Sequence, residues 1–301
     1  MSMAKEKVLR IARKNGIEAK EEPLEFNESG LDFLVVFVED VKGERWVLRF
    51  PRRGDVIPST AKEKRTLELV GSYILVQTPD WLVYNEELIA YKKLDGVPAG
   101  TIDHEAKAYK WELDVNDLPE KYIESLAKAM VSLHKIGKDE AEGAKLPVES
   151  AETARASMML RMEKVKEKFE VHDALWKRWQ TWVHDSSMWP KQTGLVHGDL
   201  HPGHILIDED SRVTGFIDWT EASVTDIAND FVGHYRTFGK KELERLIGCY
   251  SAAGGYVWPN MAKHVMELEA AYPVAIAEFA LKSGLEEYME MAKQILSQEN
   301  L

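Results

Sequence analysis

The feature that most constrains this chain is a polar loop between short apolar segments in its second half. Residues 197–204 read HGDLHPGH, and short apolar runs precede and follow them. A further apolar run at 213–217 follows the polar turn DEDS and ends beside Asp218. Short apolar runs separated by turn residues predict a strand, a tight loop and then a β-hairpin. The pattern therefore places Asp199, His204 and Asp218 close together on one hairpin.

Phosphoryl transfer is the chemistry that these three side chains suit. That reaction needs a group that orients the attacking hydroxyl, and ligands for the cation that bridges the nucleotide phosphates. Asp199 and His204 are five positions apart, which is the spacing of the catalytic aspartate and the metal-binding residue in protein-kinase catalytic loops. We therefore predict Asp199 as the catalytic base, and His204 and Asp218 as metal ligands. An alternative stays open, because His197 and His201 lie nearby and clustered histidines also suit a zinc hydrolase.

Length, charge and cysteine content restrict the class of protein. The chain has 301 residues, enough for two lobes that each have a core. A net charge of −12 without a long basic stripe argues against a nucleic-acid partner. No apolar run is long enough to span a membrane, and the first residues lack the apolar core of a secretory signal. The single cysteine, Cys249, cannot form an internal disulfide. These features predict a cytoplasmic protein without a membrane partner.

The order of predicted elements gives an α+β chain with two lobes. Residues 1–93 are predicted to form a small, strand-rich, nucleotide-binding lobe, and residues 94–301 a larger, mainly helical lobe that carries catalysis and binds the acceptor. The turn-rich segment DGVPAG between them is the predicted linker. In the small lobe we expect helices at 5–20 and 60–71 and strands at 31–39, 44–50, 73–78, 81–86 and 88–94. In the large lobe we expect a helix opened by Pro119 and further helices at 151–169, 172–187, 226–238, 240–253 and 259–283.

The strand at 44–50 has two chemically different faces. Alternate residues point to opposite sides of a strand, so Trp46, Leu48 and Phe50 share one face and Arg49 lies on the other. We expect Arg49 to bind the nucleotide phosphates and Glu63, on the following helix, to pair with it. Glu68 on the same helix is the less favoured partner, and a plain surface arginine on an edge strand is the alternative for Arg49.

Together these motifs resemble those of the protein-kinase-like small-molecule phosphotransferases, the group that contains aminoglycoside and choline kinases. Within that group, HGDLHPGHILID, TGFIDWTEA and DIANDF look most like macrolide 2'-phosphotransferases. The resemblance implies a bilobal protein-kinase-like fold. It also implies transfer of the terminal phosphate of a nucleotide, GTP or ATP and usually GTP, to the desosamine 2'-hydroxyl of macrolide antibiotics, with Mg²⁺ as the metal. Such an activity would confer antibiotic resistance.

Two positions depart from the pattern of aminoglycoside kinases. Those enzymes usually carry asparagine where this chain has His204, and a nitrogen ligand is softer than magnesium normally prefers. The macrolide subgroup shares the histidine. The strand position that lysine usually fills is Arg49, which can still hold phosphate as a bidentate fork. Neither departure excludes activity.

The resemblance implies roles for further residues. Ser29, in the segment 27–32, would cover the phosphates, and Ile89 and Tyr91 would offer backbone contacts to the base, although both also suit a plain strand. Desosamine bears a dimethylammonium group, so a second carboxylate near Asp199 is expected. Candidates for the acceptor pocket, besides Asp199, are Asp230, Phe231, Tyr235, Trp258 and Tyr272. For Asp230 the equal alternative is a carboxylate that braces the catalytic loop, and aromatic residues at helical spacing more often belong to the core.

Two other functions stay open at this point. One is a kinase for another small-molecule alcohol, such as an aminoglycoside or a metabolite. The other is a kinase-like binding protein without activity, which the intact set of Asp199, His204 and Asp218 argues against. The sequence leaves undecided which macrolides are accepted, whether GTP or ATP is the donor, and the oligomeric state.

Overall fold

A computed structural model describes residues 5–28, 32–103 and 108–298 of the chain. Among the described residues no helix is both long and apolar enough to cross a membrane. The first part of the chain is a small lobe with the strands β1 (Ala19–Asn27), β2 (Phe33–Asp40), β3 (Arg45–Pro51), β4 (Val83–Tyr84) and β5 (Ile89–Lys92), and the helices α1 (Lys5–Lys14), α2 (Val56–Ser59) and α3 (Ala61–Val70). Its five strands form an antiparallel sheet with the order β1-β2-β3-β5-β4.

The two faces of β3 have different neighbours, as the alternation predicts. Trp46, Leu48 and Phe50 are buried in a core that they share with α1. The opposite face carries Val47 and Arg49, which line a cavity between the two lobes. The sheet therefore buries one side under α1 and offers its other side to a ligand.

Two predictions in the small lobe are wrong. The first helix ends at Lys14 rather than at residue 20, because Gly16 takes a left-handed φ of 80° and the chain then enters β1. The segment 73–78 is not a strand, since it makes turns and pairs only through Gln77, which forms a single bridge to Gly215. That bridge joins the small lobe to the hairpin that holds Asp218.

The predicted linker is more structured than its turn residues suggest. Part of it is a short strand, β6 (Val97–Pro98), which pairs antiparallel with the hairpin strand β10 (Ile205–Ile207). A further hairpin follows, made of β7 (Gly100–Asp103) and β8 (Ala108–Trp111). No element was predicted between the linker and the helix opened by Pro119, so this hairpin was missed.

Helices dominate the rest of the large lobe, as predicted. The helices predicted at 226–238 and 240–253 correspond to the two parts of α8 (Asn229–Ala252), which is interrupted at Gly239, where a φ of 79° is not helical. The helix predicted at 259–283 is two helices that meet at Ala271, with Pro273 in the first turn of the second. The helices are α4 (Glu120–His134), α5 (Lys138–Gly143), α6 (Ala151–Lys168), α7 (Asp173–His184), α8 (Asn229–Ala252), α9 (Met261–Ala270), α10 (Tyr272–Ser283) and α11 (Glu286–Leu296), of which α5 and α11 were not predicted.

Candidate active site

A cavity of about 880 Å³ lies between the sheet of the small lobe and the hairpin of the large lobe. Its walls carry apolar side chains from the sheet and polar side chains from the hairpin. The hairpin region consists of β9 (Gly194–Val196), β10, β11 (Val213–Phe216) and β12 (Ser223–Thr225). Residues that line the cavity include Val35, Phe37, Val47, Arg49, Glu63, Tyr91, Leu94, His201, His204, Leu206, Asp218 and Thr220.

The loop that carries Asp199 depends on a glycine. Gly198 has a φ of 87°, and a Cβ at this position would lie 2.8 Å from the carbonyl oxygen of Glu221. Only glycine takes this conformation without strain and also permits such a close approach. The turn leaves the Asp199 side chain 55 % exposed, so its carboxylate is free to meet a ligand.

The hydrogen bonding of His204 fixes which of its ring nitrogens faces the cavity. Nδ1 lies 2.9 Å from the backbone oxygen of Asp199 and therefore donates its proton to that oxygen. In a neutral ring the lone pair is then on Nε2, which lies 3.7 Å from Oδ2 of Asp218. An imidazole lone pair and a carboxylate oxygen thus face each other across a gap suited to a cation.

Asp218 is held ionised by its surroundings. Burial raises its pKa, but His204 and the hydroxyl of Thr220, which donates to Oδ1 at 3.0 Å, bring the pKa below its ordinary value. Its backbone is left-handed with a φ of 64°, an uncommon conformation for a residue with a side chain. Such strain at a cavity wall is typical of a residue whose position serves a function.

Asp230 braces the catalytic loop from inside. Its side chain is buried, and its two oxygens accept the backbone N–H groups of His197 and Gly198, each at 2.8 Å. Oδ2 also lies 3.0 Å from Nε2 of His134. With both oxygens occupied and no access to solvent, Asp230 does not line an acceptor pocket. The loop-bracing alternative describes its place.

The histidines of the loop have their own hydrogen bonds. His197 is fully buried, its Nε2 lies 2.9 Å from the Ile217 oxygen, and its Nδ1 accepts the N–H of Asp199 at 3.3 Å. His201 Nδ1 accepts the N–H of Gly203 at 3.0 Å, and burial, assisted by His204, lowers the pKa of His201 to about 4. The one metal-capable group of side chains found in the described part of the chain is Asp199, His201 and His204, so His197 does not join a zinc cluster.

Arg49 lies at the roof of the cavity and pairs with Glu63. The distance from its Nη1 to Oε1 of Glu63 is 3.0 Å, and Glu63 is 3 % exposed. The guanidinium carbon also lies 4.4 Å from the centre of the Phe33 ring. Glu68, the less favoured partner, instead pairs with Lys64 on the surface. Arg49 is thus a half-buried cation on the central strand β3, and it lines the cavity rather than the outer surface of an edge strand.

Ile89 and Tyr91, the two residues predicted to contact the base, lie differently in the structure. Ile89 is fully buried, and its backbone pairs with Arg49 on one side and Tyr84 on the other. Its amide and carbonyl are therefore used within the sheet. Tyr91 lines the cavity, and burial raises its pKa to about 12, so its hydroxyl is neutral. The segment after it, 93–98, borders the cavity as well. Ser29 lies outside the described residues.

The aromatic candidates for the acceptor pocket fall into two groups. Phe231 is fully buried in the core, and Trp258 packs against Tyr256 and donates from Nε1 to the Met188 oxygen. The prediction of a pocket-lining Phe231 is therefore wrong, because solvent does not reach it. Tyr235 and Tyr272 line a second cavity of about 220 Å³.

Sequence reasoning missed two residues, Thr220 beside Asp218 and Arg236 on α8. Thr220 bonds Asp218, and Arg236 forms a bidentate pair with Glu269 while its guanidinium lies 4.1 Å from the centre of the Tyr272 ring. Thr220, two positions after Asp218, could have been found from the Asp-x-Thr spacing. Arg236 carried no local signal, because Glu269 lies on a different helix.

The family model described as "Phosphotransferase enzyme family" matches residues 23–264. The chain belongs to the phosphotransferase enzyme family. A solved structure of a macrolide 2'-phosphotransferase type I is 37 % identical, covers 99 % of each chain and superposes with a TM-score of 0.88. The macrolide 2'-phosphotransferase of Brachybacterium faecium is 33 % identical over 97 % of each chain, with a TM-score of 0.91. An uncharacterised Bacillus subtilis protein, YcbJ, is 43 % identical over 96 % of this chain and 94 % of its own.

These matches confirm three predictions from the sequence. The resemblance to macrolide 2'-phosphotransferases is confirmed, and so is the kinase-like fold with its sheet-containing first lobe and helical second lobe. This member of the phosphotransferase family is an enzyme that transfers a phosphoryl group to a hydroxyl. An aminoglycoside phosphotransferase in complex with GDP and kanamycin, 19 % identical with a TM-score of 0.74, has the same fold.

Proposed function

We propose that this enzyme transfers the terminal phosphate of a nucleoside triphosphate, GTP in preference to ATP, to the 2'-hydroxyl of macrolide antibiotics. The observation that carries the proposal is the position of Asp199. Its exposed carboxylate lies on the loop beside the cavity that holds Arg49, His204 and Asp218. The similarity to two macrolide 2'-phosphotransferases over almost the whole chain supports the choice of acceptor.

The large cavity suits the nucleotide. Val35, Phe37 and Leu206 give it apolar walls that would hold a base, and Arg49 lines the same cavity. Glu63 holds the Arg49 side chain in one orientation, so its remaining N–H groups can bind phosphate oxygens as a fork. Ordering the arginine before the nucleotide arrives lowers the entropy cost of binding.

The residues of the hairpin fit a divalent cation such as Mg²⁺. The hydrogen bond of His204 supports this fit: its Nδ1 donates to the backbone oxygen of Asp199, so in a neutral ring the Nε2 lone pair faces the Asp218 carboxylate. His204 and Asp218 would hold the ion. When bound, such an ion neutralises charge on the nucleotide phosphates. A nitrogen ligand also allows Mn²⁺ to serve in place of Mg²⁺.

Asp199 acts on the acceptor. Its carboxylate accepts a hydrogen bond from the 2'-hydroxyl and orients the oxygen toward the terminal phosphorus. The new bond forms between that oxygen and phosphorus while the bond to the nucleoside diphosphate breaks. The hydroxyl proton passes to Asp199. Asp230 supports this step by fixing the backbone at His197 and Gly198, which places the carboxylate.

The acceptor side suits an apolar molecule with one positive charge. The smaller cavity is lined mainly by apolar and tyrosyl side chains, including Tyr235 and Tyr272. In desosamine the dimethylammonium group is on the carbon next to the 2'-hydroxyl. Asp199, which binds that hydroxyl, therefore also lies near the single cation and balances it. A role in antibiotic resistance, in a reducing cytoplasm, follows as part of the proposal.

The test is phosphate transfer measured with several acceptors. Erythromycin should be phosphorylated with GTP and, less efficiently, with ATP, whereas erythromycin acylated at the 2'-hydroxyl should be inert. Kanamycin should be a poor acceptor. Efficient turnover of kanamycin with inert erythromycin would favour a kinase for another alcohol, and no transfer to either acceptor would refute the macrolide proposal.

A further inference from the structure

Beside the smaller cavity, which the proposed function assigns to the acceptor, lies an ion pair that the proposed reaction does not require. Arg236, on α8, donates from Nε to Oε1 and Oε2 of Glu269 at 2.9 and 3.0 Å, and from Nη2 to Oε2 at 2.7 Å. The face of its guanidinium lies over Tyr272. These contacts hold the guanidinium of Arg236 in one orientation, and both carboxylate oxygens of Glu269 accept hydrogen bonds from it.

The helix that carries Arg236 packs closely against the catalytic loop. At Gly233 a Cβ would lie 2.3 Å from the backbone oxygen of Leu200 and 3.0 Å from Cβ of His201. Residues three apart on a helix share a face, so Arg236 lies on the same side as Gly233, one turn further along. Burial lowers the pKa of Arg236, but Glu269 and, more weakly, Asp199 raise it above its ordinary value. Arg236 is therefore within electrostatic reach of Asp199.

The charges of the small cavity cancel in pairs. Among the described residues that line it, Glu269 is the carboxylate and Arg178 is the cation. Glu269 is held by Arg236, and Arg178 donates to Glu267 at 2.8 Å. The remaining lining residues are apolar or tyrosyl. A cation that enters this cavity therefore meets no uncompensated carboxylate among these residues.

We propose that Arg236 is a specificity-determining residue that rejects polycationic acceptors. It occupies both oxygens of Glu269, so the ion pair leaves no free carboxylate at this cavity. An acceptor with one cation next to the reacting hydroxyl needs only Asp199. An acceptor with several ammonium groups must place the others near this neutral ion pair, where no free carboxylate compensates them. This inference rests on the proposed macrolide function, since it explains how the same fold excludes aminoglycosides.

The experiment measures the dissociation constant of kanamycin at low ionic strength by calorimetry. Arg236→Met releases Glu269 and should tighten kanamycin binding at least tenfold. The double variant Arg236→Met/Glu269→Gln should lose that gain, because the released carboxylate is gone. Arg236→Lys keeps the charge and should behave like the wild type. High salt should remove the difference between Arg236→Met and the wild type.

Arg161→Met is a matched control. Arg161 forms the same bidentate pair with Glu278, at 2.9, 3.1 and 2.7 Å. Its removal changes the net charge by the same amount and breaks an equivalent contact between helices. Kanamycin affinity should stay at the wild-type value in this variant. Equal gains in Arg236→Met and Arg161→Met, or a gain that persists in the double variant, would overturn the proposal.

A second single variant keeps the proposal testable if Arg236→Met fails to fold. Glu269→Gln leaves the charge of Arg236 uncompensated, so kanamycin should bind more weakly than to the wild type, and equal or tighter binding would overturn the proposal. Turnover of erythromycin by the wild type is measured in parallel. A gain of kanamycin binding in Arg236→Met with no erythromycin turnover would refute the macrolide function while supporting the role of Arg236. Erythromycin turnover without the gain would refute the role of Arg236 alone.

Discussion

Replacing Asp230 by asparagine should both destabilise the protein and slow catalysis. The change keeps the shape but turns one accepting oxygen into a donor. Whichever oxygen is replaced, a buried backbone N–H of His197 or Gly198 then faces an N–H, because each now donates to its own oxygen at 2.8 Å. An unsatisfied buried donor and the loss of the charged partner of His134 together cost about 3–5 kcal/mol.

The loss should appear in two measurements. Urea unfolding should give a free energy of unfolding lower by that amount, and kcat should fall at least tenfold because the Asp199 loop loses its brace. Asp226→Asn is the matched control, since Asp226 is equally buried and pairs with His264 but accepts from Ala228 rather than from the loop. It should reduce stability and leave kcat within about threefold. Equal losses of kcat in both variants would refute a specific role of Asp230 in placing the loop.

Four further predictions follow from the site and the core. Asp199→Asn should lower turnover roughly 10²–10⁴-fold with nucleotide binding intact, and a variant that keeps half its turnover contradicts this. Asp218→Ala should abolish metal-dependent nucleotide affinity, whereas His204→Asn should lower that affinity less, because asparagine offers an oxygen ligand. Equal losses of affinity in the two variants would show that asparagine cannot replace His204 as a ligand. Arg49→Ala should raise the nucleotide KM far more than the acceptor KM, with partial rescue by lysine, and equal changes place Arg49 outside the phosphate site. Burial lowers the pKa of His234 from 6.5 to about 4, so the unfolded state binds a proton that the folded state does not, and stability falls as the pH drops from 6.5 to 4. The urea midpoint of His234→Gln should fall less steeply with pH over this range than that of the wild type, and an equal slope would assign the pH dependence to other groups.

The sequence predicted the parts of the site that depend on neighbours along the chain. The hairpin that brings His204 toward Asp218 follows from two short apolar runs and a polar turn. The alternation along β3 was enough to turn Arg49 toward the cavity. Both signals are local, because strand alternation and turn chemistry act over a few residues.

Other parts depend on contacts between distant segments and could not be predicted. The choice between an acceptor role and a bracing role for Asp230 needed the backbone of the loop 32 residues away. The pairing of Arg236 with Glu269 joins two helices, and neither residue marks the other in the sequence. Ile89 was expected to contact the base, but β5 lies between β3 and β4, so the backbone of Ile89 is enclosed within the sheet.

The most direct test of the account is to locate the phosphate on the product. Purified enzyme, GTP, Mg²⁺ and erythromycin are incubated together, and the product is analysed by correlated phosphorus and proton NMR. The account predicts a single phosphate ester coupled to the 2' proton of desosamine, and no such product from Asp199→Asn in the same time. Phosphate on another hydroxyl, or the same yield from Asp199→Asn, would contradict it.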